Sequence, residues 1–133
     1  MHRAAVLVVL FAAGCAGTSA SSSEPSAPAA APLPDRDPAL AKRLVEHEGG
    51  ILLDVRTADE FAEGHLEGAV NVSHDEIEAR LAEIEALTGG DPSTPIVTYC
   101  RSGNRAGQAR ATLEAAGYTR VTNIGGMADY PAP

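Results

Sequence analysis

Two short runs, ILLDV at 51–55 and PIVTY at 95–99, constrain this chain more than any other feature. Each is apolar at nearly every position, and turn formers precede both: Gly49-Gly50 before the first and GGDPSTP before the second. A strand with one face in water alternates apolar and polar residues. A strand that is apolar throughout is buried on both faces, as in parallel sheets covered by helices. The segments between the runs carry helical signals. Asp37-Pro38 supplies an N-cap acid and a proline at the first helical position, Leu40, Leu44 and Val45 share a face, and Gly49-Gly50 ends the helix. Thr57-Ala-Asp-Glu60 is a capping box opening a short helical turn that carries Phe61. Gly64 and Gly68 break the chain before AVNV at 69–72, which reads as a strand. Ser73-His-Asp-Glu76 is a second capping box and predicts a helix bearing Ile77, Leu81, Ile84 and Leu87. A further helix is expected from Gly103 to Ala116, with Ala106, Ala109, Leu113 and Ala116 on one face, and VTNI at 121–124 is the last expected strand. Strands alternating with helices imply an α/β layer built on a mainly parallel sheet.

Not all of the 133 residues belong to that layer. The chain begins MHRAAVLVVLFAAGC: a short positive start at His2 and Arg3, then an apolar run over residues 4–13. The run is too short for a bilayer-spanning helix, which needs about 20 residues. Small residues then lead to Cys15, which is the pattern of a secretory signal. Ala-Ala-Gly-Cys resembles a bacterial lipobox, which implies cleavage before Cys15 and lipidation of that residue. Residues 16–34 are almost entirely Ala, Ser, Pro and Gly and cannot bury enough surface to offset their ordering entropy. The expected organisation is a signal peptide over residues 1–14, a lipidated cysteine and disordered tether over 15–35, and one domain over 36–133. The expected location is the cell envelope, with the domain lipid-anchored and facing the periplasm or the extracellular side. A net charge of −8, no Trp and no basic stripe argue against nucleic-acid binding. A monomer that meets the membrane through its N-terminal lipid alone is the expectation.

The chemistry centres on YCRSGNRAGQAR at 99–110, where an acidic chain gathers three arginines and no acid behind one thiol. The chain has two cysteines, so once Cys15 carries lipid or leaves with the signal, Cys100 has no partner. Cys100 stands on the turn from the PIVTY strand into the next helix, and open α/β sheets hold their ligands beyond the carboxyl ends of their strands. Unsatisfied N–H groups at a helix start favour an anion and lower the pKa of a thiol placed there. Gly103 permits a backbone that a side chain would forbid, and Arg101 and Arg105 can hold an oxyanion by paired hydrogen bonds. Ser102 and Asn104 complete the candidate substrate-binding loop. The turn therefore reads as a reactive thiolate facing an anionic substrate.

LLDVRTADEFAEGHLEGAVNV at 52–72, together with YCRSGNRA at 99–106, resembles the rhodanese (thiosulfate sulfurtransferase) domain. Ala-Gly-Tyr before VTNI and the later Gly125-Gly126 match in order. The resemblance implies a rhodanese-like fold, a mainly parallel sheet of about five strands with helices on both faces. It implies that Cys100 accepts a sulfane sulfur and becomes a persulfide, within a ring of N–H groups from Arg101 to Arg105. It casts Asp54 and Arg56 as structural support beneath the loop, and His65 as a turn and packing residue. Its partners would be a small sulfur-donor anion and a thiol or cyanide acceptor, and its chemistry needs no metal or organic cofactor. Two alternatives remain: a persulfide-carrying or partner-binding module without turnover, and a Cdc25-type phosphatase or arsenate reductase. The phosphatase loop is one residue longer, whereas four residues separate Cys100 from Arg105 here. The chain departs from the family pattern at Tyr130, where Trp is usual, and in LPDRDP at 33–38, where a first strand is often found.

Overall fold

A computed structural model describes residues 32–131. Cys15, the expected signal and most of the expected tether lie outside the described residues. Helix α1 (Pro38–His47) is followed by β1 (Ile51–Asp54), α2 (Ala58–Glu63), β2 (Val70–Asn71), α3 (Leu81–Thr88), β3 (Ile96–Cys100), α4 (Asn104–Ala115) and β4 (Val121–Gly126), then a single 3-10 turn (Met127–Asp129). The strands form one parallel sheet in the order β2-β1-β3-β4.

The two apolar runs are the inner strands, and their residues alternate between two cores. Leu53, Ile96 and Cys100 face one side with Ile84 of α3 and Ala106, Ala109 and Leu113 of α4. Leu52, Val97 and Tyr99 face the other with Leu40, Ala41 and Leu44 of α1. Helices thus cover both faces, as the pattern requires. Fully burying a side chain such as Leu44, Leu53 or Leu113 stabilises the fold by about 1.5–3 kcal/mol each. Ala116, expected on the buried face of α4, is exposed past the end of the helix.

Two further expectations are corrected. The sheet has four strands among the described residues, not about five. LPDRDP, where the family often has a first strand, is loop, as its own sequence reads. The segment instead lies against β4 through Arg36 N–H to the Asn123 carbonyl (2.8 Å), Thr122 Oγ1 to the Pro34 carbonyl (2.7 Å) and Asn123 N–H to Asp35 Oδ1 (2.9 Å). It covers a sheet edge that would otherwise be open. Arg36 adopts a φ of 56°, a left-handed conformation that side chains with a Cβ adopt at a cost.

The second correction is at Ser73, which caps no helix. The chain after β2 continues beside β1, with Val72 N–H on the Asp54 carbonyl (3.0 Å) and His74 N–H on the Val55 carbonyl (3.0 Å). Those long-range bonds hold residues 72–74 where a helix would have to begin. Ser73 Oγ donates to Asp75 (2.7 Å), successive turns follow, and α3 starts only at Leu81.

Candidate active site

Cys100 is the last residue of β3, paired across the sheet with Gly126, and is 1% exposed. The chain then turns through Arg101 and Ser102 to Gly103, which has a φ of 99° and is the N-cap of α4. Gly103 has no capping side chain. The Cys100 sulfur takes that place instead, accepting the Gly103 N–H at 2.9 Å. Burial pushes the thiol up, but the backbone N–H groups of Ala106, Gly103, Ser102 and Arg105 pull it down further, and it settles below its ordinary value. The loop thus favours the thiolate by backbone geometry. Glycine suits the bend because its φ of 99° is one that side chains with a Cβ rarely adopt, and a Cβ there would also lie 3.2 Å from the Gly125 Cα.

With its N–H groups turned toward sulfur, the loop has carbonyls that need donors. Arg36 Nη2 donates to the Ser102 carbonyl (3.0 Å), and Asn123 Nδ2 donates to the Gly103 carbonyl (2.9 Å). Asn123 Oδ1 accepts the Gly125 N–H (2.9 Å), tying the loop to the end of β4. The side chains of Arg101, Ser102 and Asn104 are exposed around the turn.

Arg105 differs from its sequence-based role as a free counter-charge. Its guanidinium is held in a two-pronged pair by Glu60, with Nη1–Oε2 at 2.7 Å and Nη2–Oε1 at 3.1 Å. Arg105, helped by the Thr57 N–H, lowers the Glu60 carboxyl to about 2. Glu60 is also the capping-box residue of α2, accepting the Thr57 N–H at 3.0 Å. One carboxylate therefore caps α2 and docks it on the reactive loop. Each partner's side chain is 26% exposed, so the pair sits at the rim.

The second pair lies deeper. Asp54 ends β1, directly beside Tyr99 on β3. Its carboxylate holds Arg56 through three bonds of 2.6–3.1 Å from Nε and Nη2, and also accepts the Arg56 N–H (2.9 Å). Arg56 Nη2 reaches on to the Gly64 carbonyl (2.6 Å), and its guanidinium lies 5.8 Å from the centroid of the Tyr99 ring. Asn71 Nδ2 donates to the Asp54 and Arg56 carbonyls (3.1 and 3.0 Å). Tyr99 Oη accepts the Leu66 N–H (3.1 Å), and its phenol is pushed up to about 12, by burial first and then by Asp54. Asp54 and Arg56 thus fasten the end of β1 to Gly64, while Tyr99, the residue before Cys100, is fastened to Leu66. His65 stacks on Phe61 with ring centroids 3.8 Å apart.

Sequence reasoning missed Glu60 as the partner of Arg105, and it missed Arg36 and Asn123 altogether. Glu60 carried a signal, but its capping role already satisfied it. Arg36 and Asn123 stand 66 and 20 residues from the carbonyls they hold, and no local pattern marks such contacts.

The family model described as "Rhodanese-like domain" matches residues 37–132. The chain belongs to the rhodanese-like family. Among rhodanese-like relatives, Thiosulfate sulfurtransferase PspE of Escherichia coli (strain K12) is 33% identical over 81 residues, covering 61% of this chain and 74% of that one. A sulfurtransferase of Allochromatium vinosum is 38% identical over 87 residues, covering 65% and 76%. Among solved structures, the human single-domain sulfurtransferase TSTD1 superposes with a TM-score of 0.60 at 28% identity, covering 71% of this chain and 90% of that one. A rhodanese with anions from E. coli gives 0.56 at 32% identity, covering 63% and 94%. The rhodanese-like fold expected from the sequence is the fold observed.

Proposed function

We propose that this protein is a sulfurtransferase that moves a sulfane sulfur from thiosulfate or a similar donor to a thiol or cyanide through a persulfide on Cys100. One observation carries this reading: backbone N–H groups from both sides of the Gly103 bend converge on the Cys100 sulfur and favour its thiolate. The thiolate attacks the outer sulfur of thiosulfate. A Cys100 S–S bond forms as the donor's S–S bond breaks, and sulfite leaves with the electron pair. The terminal persulfide sulfur inherits the negative charge within the same ring of N–H groups. Cyanide, or a thiolate, then attacks that outer sulfur, giving thiocyanate or a new persulfide and returning the Cys100 thiolate. Arg101 orients the donor anion from the exposed side of the loop, and Arg105 contributes charge to the extent that Glu60 leaves it. The relatives named thiosulfate sulfurtransferase support the reading, and the four-residue spacing from Cys100 to Arg105 favours it over phosphate chemistry.

One observation favours a second reading, a carrier that receives sulfur from a less charged donor and hands it to a partner. With Arg105 paired to Glu60, the loop offers a dianion less positive charge than its arginines alone suggest. Steady-state formation of thiocyanate from thiosulfate and cyanide separates the two. Double-displacement kinetics abolished by Cys100→Ser support the enzyme, absent turnover with a retained persulfide supports the carrier, and hydrolysis of an aryl phosphate overturns both.

The proposed setting is the cell envelope, with a lipid on Cys15 tethering the domain. Labelled palmitate should enter the wild type and not Cys15→Ala; label in both would end the proposal.

A further inference from the structure

The Ser102–Gly103 peptide has its two polar ends pointing opposite ways, as a trans peptide must. Its N–H donates to the Cys100 sulfur at 2.9 Å, and its C=O accepts from Arg36 Nη2 at 3.0 Å. A donor that fixes the carbonyl therefore aims the N–H. It also polarises the peptide so that the N–H becomes a stronger donor. Arg36 sits on no element of the sheet and is exposed, yet its backbone is held in place. Its own N–H is bonded to Asn123, and its φ of 56° is held against the local preference of a side chain with a Cβ. Its guanidinium occupies a notch cut by two glycines in left-handed conformations: a Cβ on Gly103 would lie 2.7 Å from Nη2, and one on Gly125 would lie 2.9 Å from Nη1. The missing Cβ at both positions leaves room for the Arg36 guanidinium to reach the loop from its exposed segment.

We propose that Arg36 is a positioning residue for the nucleophile: from the segment that covers the sheet edge, it holds the Ser102–Gly103 peptide so that its N–H faces the Cys100 sulfur. Arg36 reaches the chemistry only through that peptide. The inference deepens the proposed sulfur transfer and rests on that reading for its catalytic consequence. Its direct consequence, the reactivity of the thiol, can be read without any sulfur donor.

The experiment measures the rate of Cys100 alkylation by iodoacetamide against pH in the wild type, Arg36→Gly and Arg36→Lys, with Tm recorded for each. Arg36→Gly removes the guanidinium while suiting the φ of 56°, so the fold survives. Weakening one hydrogen bond to sulfur should move the half-maximal pH upward by roughly 0.4–1 unit. Arg36→Lys keeps a charge and a donor without the planar fork, so it should recover part of that shift. Sulfur transfer from thiosulfate at pH 7 should fall about 3–10-fold in Arg36→Gly and converge on the wild type at high pH, where both thiols are ionised. Superposable alkylation profiles, or a deficit persisting at every pH, would overturn the proposal. If the wild type takes up no sulfur from any donor, the proposed function fails, while the alkylation profiles still decide the role of Arg36.

Discussion

Two arginine–carboxylate pairs flank the reactive loop, and they are built for different tasks. Asp54–Arg56 is buried, with side chains 0% and 10% exposed, and it ties a strand end to a turn through the Gly64 carbonyl. Glu60–Arg105 stands at the rim with both side chains 26% exposed, where under the proposed function it would set how much positive charge meets an incoming anion. The same chemical pair is buried scaffold in one place and, under the proposed function, charge control in the other. Burial makes the difference: a buried charge that loses its partner is stranded, whereas a rim charge is recovered by water.

The largest effect that follows is on the deep pair. Asp54→Asn leaves the Arg56 charge without its counter-ion and should cost about 3–5 kcal/mol, lowering Tm by more than about 10 °C in thermal melts. Replacing both residues, as Asp54→Leu with Arg56→Met, should recover most of that loss, because no charge is then stranded. A double variant no more stable than Asp54→Asn would show that the bonds to Gly64 and the strand end matter more than the unpaired charge.

The rim pair predicts a smaller structural effect and a functional one of opposite sign. Glu60→Gln should cost about 1 kcal/mol after solvent screening, and it should raise kcat/KM for thiosulfate about 2–5-fold by releasing Arg105. That gain should shrink at high ionic strength. A fall in kcat/KM parallel to the stability loss would make Glu60 a scaffold residue like Asp54 and erase the distinction. The pH dependence sharpens it. Because the Glu60 carboxyl is held at about 2 instead of the ordinary 4.5, its contribution is fully present above pH 4.5 and is lost as pH falls toward 2. Melts of the wild type should show that loss, and Glu60→Gln should lack it.

The distinction also explains what could be read from the sequence. The apolar runs at 51–55 and 95–99 specified inner strands, because nothing else accommodates apolar side chains on both faces. Asp37 and the Thr57/Glu60 box cap helices as expected, with the Asp37 carboxylate accepting the Leu40 N–H at 2.9 Å. These are local signals satisfied within four residues. Ser73 carries the same local signal and fails: its hydroxyl donates to Asp75, and the Glu76 N–H that a cap would take is bonded to the Ser73 carbonyl while residues 72–74 are still held beside β1. The thiol, its turn and the glycine at its bend were legible because strand end, nucleophile and helix start are contiguous in the chain. The second role of Glu60, the reach of Arg36 to Ser102 and the clamp of Asn123 on Gly103 were not legible. Each joins residues 20 to 66 positions apart.

The smallest effect tests whether the loop works through its backbone. Ser102 offers the thiol an N–H that Ser102→Ala retains, and its side chain is exposed. That variant should change stability by less than about 0.5 kcal/mol and thiocyanate formation by less than about twofold. A large loss would give the hydroxyl a part that the geometry does not.

The central claim is that this loop holds Cys100 as a thiolate ready to accept sulfur. Mass spectrometry of the intact protein after incubation with thiosulfate tests it most directly. The account predicts a gain of one sulfur atom in the wild type, its removal by cyanide, and no gain in Cys100→Ser. No gain with thiosulfate or with persulfide donors, or an equal gain in Cys100→Ser, would contradict it.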